Sequence, residues 1–500
     1  MATVLATPGV YIEEKSAFAS SVVPVATAVP AFIGFTEKAQ RGTKSIKNVP
    51  TRISSFAEFE QFFGGAPKTK FTIAEDQSSV GYKLDVNAAS HFNLHSSMRF
   101  FFANGGSDCY IVSVGDYSNG VNAKDFNDMA TESGIPTLLK EMEPTLLVIP
   151  EAVLLSEEEC FSLQQAMLLH CGHQMKNRFA ILDVYNGDKS RTYDESDVAN
   201  RFREGVGSNF LQWGSAYYPF VKTTIVGTSE INFTNIENRD TLVELLTKDV
   251  NSDLEAGIIN VARAEAIKNE LAKIATASTT NDISTLQATL KTISPKLNGI
   301  LKDMVDFLNV MPPSAGMAGV YSMVDASINV AKSPANVSLG SVVAPTVLLT
   351  NDNQEELNLP LNGKAINAIR SFPGRGVLVW GARTLDGNSQ DWRYISVRRT
   401  MTFLEQSIKI AAERFVFEPN NSTTWSTLKA TVNNFLVNQW QSGLLAGLSP
   451  EDAFEVNIGL GVTMTPNDIL DGVLRMSVKV AITRPAEFIV ITFEQQQQKS

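Results

Sequence analysis

Between Pro144 and Phe220 the apolar residues alternate between short continuous runs and helical spacing, and this alternation restricts the fold more than any other feature of the chain. Thr145-Leu146-Leu147-Val148-Ile149-Pro150 is a run between prolines, the pattern of a strand covered on both faces. Ser156 to His170 has helical spacing, with Glu157, Glu158 and Glu159 in the first turn, where the positive end of the helix dipole favours carboxylates. Arg178-Phe179-Ala180-Ile181-Leu182-Asp183-Val184-Tyr185 is a second strand. Strand, helix and strand in this order predict an α/β sheet covered by helices.

The pattern changes at residue 231. Leu242, Leu245, Leu246, Val250, Leu254, Ile258, Val261, Ile267, Leu271 and Ile274 recur at three- and four-residue steps. Leu286, Leu290 and Ile293 continue the period after Ser278-Thr279-Thr280-Asn281-Asp282, and Ser294-Pro295 restarts a helix as N-cap and first-turn proline. Residues 231 to 310 therefore read as a helical elaboration, and Met311 to Asn336, rich in Gly, Pro, Ser and Ala, as loops. Beyond them a third composition predicts a compact α+β domain. Gly376-Val377-Leu378-Val379-Trp380-Gly381 is a buried strand, Tyr394 to Phe415 and Asn421 to Gly443 are helices, and Phe454-Glu455-Val456 is a strand.

The two ends carry strands with nowhere obvious to go. Val473 to Ile482 alternates like a strand, Arg484-Pro485 interrupts it, and Glu487-Phe488-Ile489-Val490-Ile491-Thr492-Phe493-Glu494 is a second strand pattern. Thr7-Pro8-Gly9-Val10-Tyr11-Ile12-Glu13-Glu14 repeats the idea at the other end. A strand at a chain end presents a row of unpaired N–H and C=O groups that can add to a neighbour's sheet. Val10, Tyr11 and Ile12 on one arm and Phe488, Ile489, Val490 and Ile491 on the other are the candidate intersubunit residues.

Composition narrows the function classes. A formal net charge of -11 works against a nucleic-acid binder, whose phosphate contacts need a basic surface. Three cysteines, Cys109, Cys160 and Cys171, form no disulfide framework. The N-terminus lacks a basic signal-peptide region, and Pro24 and Pro30 interrupt the apolar run from Val22 to Phe35, so neither secretion through a signal peptide nor membrane insertion is expected.

No motif points to catalysis, a cofactor or a metal. His170-Cys171-Gly172-His173, with Cys160 upstream, lacks the second ligand pair of a structural zinc site and reads as a helix end. His91 and His95 are four apart without the glutamate that follows the first histidine in a metalloprotease. Pro373-Gly374-Arg375-Gly376 precedes a strand, whereas a phosphate-cradling loop follows one and opens a helix, so it reads as a turn. The charges Arg393, Arg398, Arg399, Glu405, Lys409, Glu413 and Arg414 along one helix fit a solvated face with i,i+4 pairs.

Several segments together resemble the contractile tail sheath proteins of phages and extracellular contractile injection systems. They are Thr7 to Glu14, Asn104-Gly105-Gly106-Ser107-Asp108-Cys109-Tyr110, and Pro312 to Tyr321 with Lys332-Ser333-Pro334-Ala335-Asn336. Further on come Trp380 to Leu385, Trp392 to Arg399, Phe415-Val416-Phe417-Glu418-Pro419-Asn420 and Arg484-Pro485-Ala486-Glu487-Phe488-Ile489. Residues 40 to 95 and 231 to 310 lie outside the resemblance.

The resemblance implies a multidomain α/β and α+β chain: an N-terminal arm (1–20), an outer α/β region (21–345) with its helical insertion, an inner sheath domain (346–483) and a C-terminal strand arm (484–500). It also implies a subunit that polymerises with itself as stacked sixfold rings around an inner tube. Baseplate and terminator proteins would be its other partners, and it would assemble in the bacterial cytoplasm into a phage tail or a released particle. Arg398, Arg399, Lys409 and Arg414 then become candidate tube-facing or intersubunit charges. The alternative is an α/β enzyme or carrier with a nucleotide site at the strand ends near Pro150 and Tyr185.

Overall fold

The structure, a computed structural model, describes residues 22–77, 81–488 and 490. Its chain divides into two compact units: 26–402 with 484–500, and 1–25 with 403–483.

The larger unit is built on a nine-stranded sheet. In chain order its strands are β1 (Pro30–Phe35), β2 (Thr51–Ile53), β3 (Cys109–Gly115), β4 (Leu146–Val148), β5 (Phe179–Asp183), β6 (Gly214–Tyr218), β7 (Val337–Ser338), β8 (Asn367–Phe372) and β9 (Gly376–Val379). Their spatial order is β7-β9-β8-β6-β5-β4-β1-β3-β2. The run from β3 to β8 is parallel, and β2, β9 and β7 close the two edges antiparallel. Strand order reverses at β1, which lies between β3 and β4.

Side chains on these strands sort by parity into two cores, as the pleat requires. Ala31, Ile33 and Phe35 of β1, Leu147 of β4, and Ala180 and Leu182 of β5 face one core, covered by the helices Glu157–Leu169 and Val198–Gly205. Phe32, Leu146, Val148, Phe179 and Ile181 face the other, covered by the helices Leu94–Ala103 and Ser314–Ser327. A sheet buried on both faces accounts for the continuous apolar runs in the sequence.

The helix Ser314–Ser327 corrects the expectation of loops across Met311 to Asn336. Its glycines and alanines serve close approach. A Cβ on Gly316 would lie 2.4 Å from the Phe100 ring, and one on Gly319 would lie 2.5 Å from the Phe101 carbonyl oxygen. The small residues let this helix pack backbone-close against Leu94–Ala103, and that packing outweighs the poor helix propensity of the glycines.

Residues 231–310 form the helices Arg239–Glu255, Val261–Thr276, Thr280–Ile293 and Pro295–Leu308 around a third core. Ser294 caps the last of them, accepting from the Leu297 N–H at 3.3 Å. A hairpin of Phe71–Glu75 and Tyr82–Val86, which the sequence reading left unassigned, completes this core. Asn238 clasps it, its side chain accepting from the Ile73 N–H and donating to the Ile73 carbonyl.

The division between the two compact units falls at 402/403. Residues 346–402 join the larger unit because β8 pairs with β6, and because Glu356 receives the buried Arg191 and Arg203 guanidiniums.

Candidate functional site

The smaller unit takes the latter part of the helix Ile395–Glu413, the helix Ser422–Gln441 and a two-stranded antiparallel ribbon, β10 (Phe454–Ile458) and β11 (Met476–Val480). Asn421 caps the second helix, accepting from the Thr423 and Thr424 N–H groups at 3.1 Å. Leu428, Val432, Phe435 and Leu436 form its buried face, and it packs against β10, whose Val456 is buried.

Register runs from Phe454 opposite Val480 to Ile458 opposite Met476. The first terminal strand pattern thus pairs within its own chain. Among the described residues neither ribbon strand has a second neighbour, so both outer edges are open. A two-stranded ribbon gains little stability alone and is an incomplete sheet.

Of the candidate arm residues, Val10, Tyr11, Ile12, Ile489 and Ile491 lie outside the described residues. Phe488 and Val490 are 68% and 89% exposed. Between Arg484 and Phe488 sits a group that the sequence reading missed. One Glu487 carboxylate oxygen accepts from Arg383 Nε at 2.9 Å and Asn358 Nδ2 at 2.9 Å. The other accepts from Arg383 Nη2 at 2.6 Å and the Tyr394 hydroxyl at 3.0 Å. Burial would raise the Glu487 pKa, but the hydrogen bonds from Arg383 and Asn358 outweigh it and hold the carboxyl below its usual range.

The candidate charges divide. Lys409 and Arg414 are exposed. Arg398 and Arg399 are not available as a surface patch, since only 5% and 4% of each is accessible. The Arg398 guanidinium lies 4.3 Å from the centroids of both Trp213 and Trp392, and Arg399 pairs with Asp325 at 2.6 Å over the Tyr321 ring. Aromatic rings at those distances hold a guanidinium as a structural cation, an outcome that charge spacing alone does not reveal.

The strand ends near Pro150 and Tyr185 are closed by the chain itself. Where strand order reverses, a doubly wound sheet usually offers an anion-binding crevice faced by a helix N-terminus. Here the buried Glu151 carboxylate fills that position, accepting from the Asn93 and Leu94 N–H groups at 3.0 Å and from the Phe35 N–H at 2.8 Å. Asp183, at the end of β5, accepts in the same way from the Ser314 N–H at 2.9 Å. Burial pushes both carboxyls up to about 7 against the pull of these bonds.

The other flagged groups lie in the fold's interior. His170 begins a π-helical turn, His170–Met175, and its two ring nitrogens meet Gln174 at 2.9 Å and the buried Arg178 at 3.0 Å. Cys109, Cys160 and Cys171 are buried free thiols. His95 is buried edge-on to Phe56 and Phe59, while His91 packs beside Phe307. No group of three or more His, Cys, Asp or Glu side chains among the described residues could hold a metal ion, and no described helix is long and apolar enough to cross a membrane.

The crevice of the larger unit's sheet is thus occupied by the chain's own carboxylates, while among the described residues the strands of the smaller unit's ribbon pair only with each other. Residues 388–496 match the phage tail sheath C-terminal domain family. The chain is similar to the sheath of an extracellular contractile injection system, the PVC sheath complex in its contracted state, at 28% identity over 99% of both chains with a TM-score of 0.60. It is also similar to the helical sheath of the anti-feeding prophage in its contracted state, at 29% identity over 99% of this chain and 100% of that one, with a TM-score of 0.61. A curated relative, the tail sheath protein of Vibrio phage KVP40, is 23% identical over 184 residues, a match that spans 37% of this chain and 26% of that protein. Residues 388–496 thus carry the tail sheath C-terminal domain pattern, and the chain as a whole is similar to sheath proteins of contractile injection systems.

Proposed function

We propose that this chain is the structural subunit of a contractile sheath. In this reading it polymerises around an inner tube as stacked sixfold rings and contracts to drive the tube through a target envelope. The observation that carries the reading is the ribbon β10–β11, whose strands pair only with each other among the described residues, in a chain whose Phe488 and Val490 are exposed. Each strand donated by a neighbour would add backbone hydrogen bonds contributing about 0.5–1.5 kcal/mol apiece. Apolar side chains that become fully buried would add roughly 1.5–3 kcal/mol each.

Arms exchanged between copies leave the bodies linked while their faces slide. The extended array then holds free energy that larger body-to-body contacts release on contraction. A chain in the sixfold-symmetrised baseplate structure of the anti-feeding prophage is also similar to this one, at 28% identity, which supports baseplate proteins as partners. The trigger would arrive from that end.

The test is direct imaging. Purified wild-type chain should form long hollow tubes in negative stain, whereas chains lacking residues 1–14 should remain soluble single subunits with intact thermal transitions. Wild type that stays dispersed at every concentration, or truncated chains that build normal tubes, would overturn the reading.

A further inference from the structure

The segment 484–488 is held in a way that inverts the usual attachment of a chain end. A terminus folded onto its own body is held by buried apolar side chains, with its polar groups left in water. Here the apolar residues stand out in solvent, Phe488 at 68% and Val490 at 89% exposure, and the carboxylate between Ala486 and Phe488 is the part held fast. Arg484 adds little, since its contact with Asp391 is 3.7 Å long and both side chains are exposed.

The site that receives Glu487 is built for it. Arg383 has 1% of its side chain accessible and presents Nε and Nη2 side by side, the fork that matches a carboxylate. Its Nη1 donates to the Asn358 and Gly387 carbonyls at 3.2 and 3.3 Å, which fixes the plane of the fork. Asn358 Nδ2 and the Tyr394 hydroxyl complete four hydrogen bonds to the one carboxylate.

We infer that Glu487 is the root of the C-terminal arm, a positioning residue that fixes where the arm leaves its own subunit and so presents the apolar residues that follow to a second copy of the chain. This rests on the arm exchange proposed above. A rooted arm reaches its acceptor from a fixed origin and becomes taut after little displacement. An unrooted arm searches a larger volume and transmits less of a neighbour's movement.

The root has a readout independent of assembly. A protease must hold several extended residues on each side of the bond it cuts, so a locked Glu487 shields the bond after Phe488 despite that residue's exposure. In unassembled subunits, E487A should raise the rate of chymotrypsin cleavage after Phe488 by about tenfold. It should also raise the concentration needed for tube formation by about tenfold. Y394F, which removes one of the four hydrogen bonds and keeps the ion pair, should give intermediate values of both with its melting temperature unchanged. Unchanged cleavage in E487A would show that no latch exists. Faster cleavage with wild-type polymerisation would show that the latch does not serve assembly. Absence of tubes from wild type itself would count against the sheath reading, and the cleavage assay would then still decide the latch.

Discussion

The residues that shape this protein's behaviour most are carboxylates placed where a neutral side chain would be expected. Asp183 and Glu151 are buried at the ends of adjacent parallel strands with their carboxyls pushed up to about 7. A group that holds its proton more tightly when folded stabilises the fold at low pH and loses that contribution as pH rises through the folded value. The larger unit should therefore lose stability as pH rises from about 4 to about 7. Glu356, Asp197 and Glu487, held below their usual range, lose their contributions only in more acidic solution. D183N keeps an oxygen for the Ser314 N–H and removes one titration. Its melting temperature should fall less than that of wild type across the same window, and parallel slopes for the two proteins would contradict the assignment.

E151Q should behave differently, because both Glu151 oxygens accept backbone N–H groups. An amide nitrogen must then face a donor, at a cost of about 1–3 kcal/mol measurable by denaturant unfolding. Nothing in the sequence marked these residues. Glu151 follows a proline like any acid near a helix start, and its role depends on Phe35 and Leu94, far from it in the chain.

Among the elements, those with a strong period were legible and those defined by their partners were not. The apolar runs at 145–150 and 178–185 became β4 and β5, and the spacing of 231–310 became four helices. The helix Ser314–Ser327 was hidden because Gly316, Ala318 and Gly319 resemble a loop until the facing helix is in place. G319A tests that account. Its new methyl would meet the Phe101 carbonyl oxygen, and overpacking of this kind destabilises by about 1–3 kcal/mol despite alanine's better helix propensity. Unfolding at equal or higher denaturant concentration would show that the glycine is not there for close packing. The hairpin Phe71–Glu75 with Tyr82–Val86 escaped for the opposite reason, since only one face of it is buried and its cover comes from helices more than a hundred residues away.

For the whole molecule the strand patterns at the chain ends can be read from the sequence, whereas the pairing of Glu487 with Arg383 cannot, because the fold alone brings the two together. The charges on the helix Ile395–Glu413 were legible as charges but not as buried ones, since Trp213 and Asp325 come from elsewhere in the chain. A truncation that ends at Glu487 separates the two functions of the terminus. It keeps the Arg383 pair and removes Phe488 onward, so the subunit should melt within a degree or two of wild type yet fail to polymerise. Tubes of normal length from that chain would place the essential contact elsewhere.

The pairing of β6 with β8 carries a consequence for biosynthesis. The ribosome delivers Gly214–Tyr218 long before Asn367–Phe372, and the whole helical block of residues 231–310 emerges between them. Those helices are stabilised by local contacts and can consolidate while the parallel sheet waits with a naked edge. On a polysome, an exposed strand edge on nascent chains held side by side can cross-pair. Translation speed across the helical block therefore becomes a variable of folding yield, with slower decoding there prolonging the interval in which β6 can find the wrong partner.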